Sequence, residues 1–120
     1  MTVVSKNAET LDRLQAYFDA SGVAAHGMRT VRNASTIAAA TTAVVLFPDD
    51  FAHGDVLTMI TELRRARPRV LLVVVTREPK KLEPVLAPDG RSLPPLVLPR
   101  PSFGWSILDA IRAHGKDVNP

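Results

Sequence analysis

The chain has no cysteine among its 120 residues, which excludes a disulfide framework and any zinc site built on thiolates. It also has no apolar run approaching the ~20 residues that a membrane-spanning helix needs. Its start, Met-Thr-Val-Val-Ser-Lys, lacks the charged, apolar and small-residue succession of a signal peptide. A cytoplasmic protein without membrane association is expected. Aromatic residues are scarce, at 5%, and none interrupts the basic cluster Arg64, Arg65, Arg67, Arg69, Arg77, Lys80 and Lys81. Base-stacking platforms are thus missing where nucleic acid would need them, and a basic nucleic-acid-binding module is a disfavoured alternative. Arg64, Arg65 and Arg67 read instead as the end of a helix, where cations complement the dipole.

Other absences narrow the chemistry. Ser5-Lys6-Asn7, the segment after the first strand, contains no glycine, so the phosphate-cradling loop of a dinucleotide fold is missing. No serine stands in a nucleophile-elbow context. His26, His53 and His114 lie in different segments without metal-ligand spacing. Only His53 has carboxylates nearby (Asp49, Asp50 and Asp55), and it reads as a surface residue. With no convergent acid, base and nucleophile, the chain is read as a non-enzyme with neither cofactor nor metal.

What the chain does have is a pattern. A hydrophobic content of 46% with 22% charge suits a folded domain, and the length suits a single core. Thr2–Val4 is a short β-branched strand, and Asn7 caps a helix whose face is Leu11, Leu14, Tyr17 and Phe18. Ser21-Gly22 stops that helix. Val23 to Arg32 holds a weaker strand, and the alanine-rich Ala34 to Ala40 a short helix. Ala43–Phe47 and Val70–Val75 are continuous apolar runs, as in strands covered on both faces. Between them Asp55 caps a helix through Val56, Leu57, Ile60 and Leu63, which Pro68 forbids from continuing. Leu96–Leu98 is a last strand, and Ser102 caps a last helix carrying Trp105, Leu108 and Ile111 until Gly115. Seven of the ten prolines fall between Glu78 and Pro101, so the fourth crossover is expected as a rigid, partly extended loop.

Strands alternating with helices predict an α/β fold, a doubly wound parallel sheet of five strands over residues 1–116 with a polar tail at 117–120. Function in such sheets sits in the loops after the strands' carboxyl ends, here beginning at Ser5, Phe47, Thr76 and Pro99.

The order and length of these elements, the ending Val97-Leu98-Pro99-Arg100-Pro101-Ser102-Phe103, Thr76 after the fourth strand and Gly54 before the third helix together resemble the CheY-like receiver domain of two-component response regulators. The resemblance implies a flavodoxin-like (βα)5 fold and an aspartate that accepts a phosphoryl group beside Mg²⁺. It also implies an acidic pair after the first strand, a hydroxyl and a lysine that engage the phosphoryl group, and an aromatic switch in the last strand. In this chain the acceptor position holds Phe47 or Pro48, and Asp49 and Asp50 follow late. The acidic pair is Ser5 and Lys6, the lysine is Arg100, and the switch candidates Leu96 and Val97 are aliphatic. The expectation is a degenerate pocket of Ser5, Lys6, Phe47, Pro48, Asp49, Asp50, Thr76 and Arg100, with Arg100 paired to Asp49 or Asp50. A pseudo-receiver follows, a phosphorylation-independent module for a signalling protein partner. Its expected surface is Pro84, Pro88, Pro94, Pro95, Val97 and Trp105, and homodimerisation through the last strand and helix is one use of it. The alternative is an active receiver phosphorylated on Asp49 by a histidine kinase.

Overall fold

The computed structural model describes residues 1–31, 37 and 41–118, the last four by backbone alone. Five strands, β1 (Thr2–Val4), β2 (His26–Met28), β3 (Ala43–Leu46), β4 (Leu71–Thr76) and β5 (Leu96–Pro99), form one sheet in the order β2-β1-β3-β4-β5. Every pairing is parallel, with Val4 beside Leu46, Leu46 beside Val74 and Thr76 beside Pro99. The helices are α1 (Ala8–Ala20), α2 (His53–Ala66), the single turn α3 (Glu83–Leu86) and α4 (Gly104–Val118). The expected helix over Ala34 to Ala40 lies outside the described residues except for Ile37, which is buried.

β3 and β4 are buried along their whole length, because successive side chains point to opposite faces and both faces are covered. Val3, Ala43, Val45, Leu71, Val73 and Val75 meet Leu11, Leu14 and Phe18 of α1 and Ile107 and Leu108 of α4. Val4, Val44, Leu46, Leu72 and Val74 meet Val56, Met59, Ile60 and Leu63 of α2, with Val31, Ile37 and Leu82. Placing aliphatic side chains on both faces leaves polar side chains to the two edges, where the loops are.

Local signals mostly act as expected. Asn7 caps α1, accepting the Thr10 N–H at 3.2 Å, and Gly22 takes a positive φ of 80° after the helix stops at Ser21. Three expectations need correction. Asp55 lies in the first turn of α2 and Ala52 occupies the cap, so the carboxylate serves the dipole instead. Ser102 turns back to donate to the Pro99 carbonyl, and α4 starts at Gly104. Gly115 does not end that helix, which continues to Val118; glycine costs about 1 kcal/mol in a helix interior but does not forbid it.

The fourth crossover is the irregular part. It holds a 3₁₀ turn at Pro79–Leu82 and the one-turn α3, then extended chain into β5. Arg64 of α2 replaces the missing helical contacts. Its guanidinium donates to the Val85 carbonyl at 2.7 Å, the Ala87 carbonyl at 2.8 Å and Ser92 Oγ at 2.9 Å. Arg67 likewise donates to the carbonyls of Ile37 and Thr41, both at 3.1 Å. Two of the arginines that read as dipole partners are thus clips between segments. Asp89 closes the loop by accepting the backbone N–H groups of Ser92 and Arg91 at 2.8 and 2.9 Å. Those donors, Ser92 first, hold its carboxyl well below the usual range. Its stabilising share is therefore complete above an unfolded-state pKa of about 4 and lost as pH falls toward the folded value. Removing Arg64 deletes a nine-tenths buried side chain and three of its hydrogen bonds, so Arg64→Ala is expected to cost about 1–3 kcal/mol in urea denaturation. It should also expose the 85–92 loop to proteolysis; an unchanged midpoint would show that the loop is held by something else.

Candidate functional site

In the order β2-β1-β3-β4-β5 the chain reverses its winding between β1 and β3, and the crevice outside their carboxyl ends is where such sheets bind ligands. Ser5 and Lys6 leave β1 here, Phe47 to Asp50 leave β3, Thr76 ends β4 and Arg100 follows β5. All eight residues expected in the pocket come to this edge.

The turn after β3 decides how its carboxylates are used. Pro48 opens a 3₁₀ turn over Pro48–Asp50, its fixed φ suiting the first position. The two aspartates then diverge. Asp50 turns toward β1, where Oδ2 accepts from Ser5 Oγ at 2.6 Å and from the Lys6 N–H at 3.3 Å. Its Oδ1 accepts from Arg100 Nη1 at 2.9 Å. Asp49 turns toward β4, accepting from Thr76 Oγ1 at 2.6 Å and from the Arg77 N–H at 3.0 Å. Arg100 Nη1 is 4.0 Å from Asp49, so of its two carboxylate neighbours Asp50 is the closer and the hydrogen-bonded one.

Each hydroxyl is fixed in direction by a second bond. Ser5 Oγ accepts the Asn7 N–H at 3.2 Å, and Thr76 Oγ1 accepts the Glu78 N–H at 3.0 Å. Both therefore have a backbone donor on one side and a carboxylate on the other. Thr76 does what a strand-ending hydroxyl does and binds Asp49 as well. Phe47, buried at the acceptor register, supplies a ring over which the Arg100 guanidinium lies, 5.6 Å from the centroid. The arginine is held by an aromatic face below and a carboxylate beside it, with its side chain only 21% exposed.

The residues after β1 do not fit a Mg²⁺ ion. Ser5 is fully buried with its hydroxyl committed to Asp50, and Lys6 brings an exposed ammonium where a second carboxylate would be needed. Among the described residues no group of three or more His, Asp or Glu side chains is arranged to hold a metal ion. His53, at the start of α2, instead lines a shallow cavity of about 190 Å³ with Asp49, Thr76, Glu78 and Lys81.

The expected partner surface is not continuous. The fourth crossover runs from one edge of the sheet to the other, and its prolines are distributed along that height. Pro84 and Pro88 line a groove near Pro68, whereas Val97 lines a separate cavity with Pro79, Pro99 and Arg77. Pro94 is exposed and Pro95 partly so. Trp105, expected in the partner surface although it sits on the apolar run of the last helix, is 56% exposed and stacks on the still more exposed Phe103, rings 6.3 Å apart and 9° from parallel. The inward face of α4 is Gly104, Ile107, Leu108 and Ile111. Gly104 was the legible signal: a Cβ there would lie 2.8 Å from Tyr17 Cδ1, so only glycine lets α4 meet α1 this closely. Tyr17 accordingly sits at the rim of the core, 38% exposed.

Asp50→Ala would leave the buried Ser5 hydroxyl without its acceptor and Arg100 without its carboxylate. The expected loss is about 1–3 kcal/mol. A double-mutant cycle with Arg100→Ala should give a coupling above the 0–1 kcal/mol typical of an exposed ion pair such as Arg13–Glu9. A coupling near zero would mean that the Asp50–Arg100 pair is not formed in solution.

No family model matches the sequence, and no curated protein matches it. Solved structures do match its fold. NtrX from Brucella abortus, in a structure with ADP, superposes with a TM-score of 0.71 at 16% identity over 96% of this chain. This chain spans 26% of that one. The BeF3-activated DrrB receiver domain gives 0.69 at 14% identity, covering 96% of this chain and 95% of that chain. The signal receiver domain of an HD domain-containing protein from Pseudomonas fluorescens Pf-5 gives 0.71 at 19% identity, covering 97% and 85% respectively. The chain has the fold of a response-regulator receiver domain, with Asp49 and Asp50 at the carboxyl edge already engaged by its own side chains.

Proposed function

We propose that this chain is a receiver-like domain of two-component signalling that binds a protein partner without phosphorylation control, and that it is a binding module and not an enzyme. One observation carries the reading. Every oxygen of both carboxylates at the carboxyl edge already accepts from within the chain, Asp50 from Ser5, the Lys6 N–H and Arg100, and Asp49 from Thr76 and the Arg77 N–H. A phosphoryl acceptor must present a free carboxylate oxygen in line with its donor, with a cation to neutralise the charge that develops. Ser5 and Lys6 supply no ligands for that cation. In a working receiver the hydroxyl after the fourth strand moves when the phosphoryl group arrives. Thr76 already bonds Asp49 at 2.6 Å, which holds the β4 loop in one arrangement. Val97 and the Phe103–Trp105 pair, all exposed, are then available to a partner or to a second copy.

A second reading keeps the chain as an active receiver with Asp49 as the acceptor. Its support is that Asp49, Thr76 and Arg100 share one pocket, Arg100 standing 4.0 Å from the Asp49 carboxylate. Incubation with acetyl phosphate and Mg²⁺, followed by intact-mass measurement, separates the two. No phosphoryl adduct is expected. An adduct that disappears in Asp49→Ala would replace the proposal with the second reading.

A further inference from the structure

At the edge of the sheet opposite Asp49 and Asp50, the end of α2 and the loop after α3 enclose a groove of about 690 Å³. The apolar part of its wall is stiff: Pro68 on one side, Pro84, Val85 and Pro88 on the other. The prolines restrict the backbone, and Arg64 clamps the carbonyls of Val85 and Ala87 onto α2. Arg64 is nine-tenths buried and acts on the wall itself. The Leu93 N–H closes the far end on the Pro68 carbonyl at 2.9 Å. The groove is therefore built before anything occupies it.

Its rim is cationic in a way that the fold does not use. Arg65 and Arg91 both line the groove, both are exposed, and among the described residues neither has a carboxylate within ion-pair distance. The one acid in the lining, Asp89, is answered locally: Ser92 and Arg91 donate backbone N–H groups to it, the Ser92 hydroxyl bonds it, and Arg64 Nη2 stands 3.7 Å away. Two arginines are left uncompensated above a proline-lined trough.

We propose that this groove takes an extended, carboxylate-bearing segment of a partner protein. Guanidinium forks match carboxylates in shape and charge, while the ring faces of Pro84 and Pro88 receive the apolar part of a peptide and lose little entropy on binding. A nucleic-acid backbone fits less well, because two cations cover few phosphates and the trough offers no stacking surface. The inference rests on the reading of the chain as an interaction module and names the surface and the charge of its partner.

The test uses the full ¹⁵N-labelled chain and a capped Glu-Pro repeat peptide, with a Lys-Pro repeat and oligo(dT) as comparisons. Saturable amide shifts are expected within residues 61–67 and 85–91 on adding Glu-Pro, and none on adding Lys-Pro. The double variant Arg65→Glu/Arg91→Glu should weaken binding about tenfold while leaving the core amides of Val73 and Val74 in place, since both arginines are exposed. Shifts confined to other surfaces, or no shifts, would overturn the proposal. So would equal shifts with oligo(dT), which would mark a phosphate-backbone site, or shifts of the same amides with protein concentration alone, which would mark a second copy. This outcome is separable from the acetyl phosphate result. An empty groove without a phosphoryl adduct defeats the groove alone, and an adduct defeats the phosphorylation-independent reading whatever the groove does.

Discussion

A parallel sheet buried on both faces tolerates charge only at its two ends, and this constraint organises the molecule. β3 and β4 are aliphatic on both faces until Thr76, since an unpaired charge between the layers would carry a desolvation cost that nothing there repays. The ionisable groups that approach the core are therefore collected at the edges, and there they must answer one another. At the carboxyl edge Arg100 meets Asp50 over the Phe47 ring. Near the amino edge Arg64 and Arg67 bond loop carbonyls.

The two edges have been settled differently. At the carboxyl edge the buried and half-buried donors face acceptors: Ser5 and Arg100 face Asp50, and Thr76 and the Arg77 N–H face Asp49. Two carboxylates, one half-buried guanidinium and two hydroxyls make a pocket in which each carboxylate oxygen accepts at least one bond from the chain itself. At the opposite edge the balance is left open. Arg64 secures the loop, Asp89 is satisfied by its own turn, and Arg65 and Arg91 face solvent above prolines. A pocket that answers its own charges suits a fixed conformation, and a groove that does not suits a partner that supplies the missing charge.

The irregular fourth crossover links these features. A full helix there would cover the outer face of β5 and fill the space beside α2. Pro84 and Pro88 confine it to one turn, which leaves Val97 44% exposed on the edge strand and opens the trough between α2 and the loop. The loss of helix is offset by the arginine clip and the Asp89 turn, local bonds that hold extended chain in place without a buried face.

Much of this was legible in the chain itself. The apolar runs at 43–47 and 70–75 specified buried parallel strands because aliphatic residues without alternation have no other low-energy place. Asn7 and Gly22 marked helix ends through their own side-chain and backbone preferences, and the proline count announced a broken crossover. Ser5, Lys6, Phe47 and Arg100 stood out because the resemblance to receiver domains implies other residue types at those strand ends. The tertiary structure decided what no local rule contains. Arg100 hydrogen-bonds Asp50 and stands off from Asp49 at 4.0 Å, because the 3₁₀ turn at Pro48 aims adjacent carboxylates at different strands. Trp105 is outside the core, because Gly104 brings α4 against Tyr17 and turns Ile107 and Leu108 inward. Arg64, read from sequence as a dipole partner, clamps a loop 21 to 28 residues further along the chain. Such pairings depend on which segments the fold makes neighbours, and sequence spacing is silent on that.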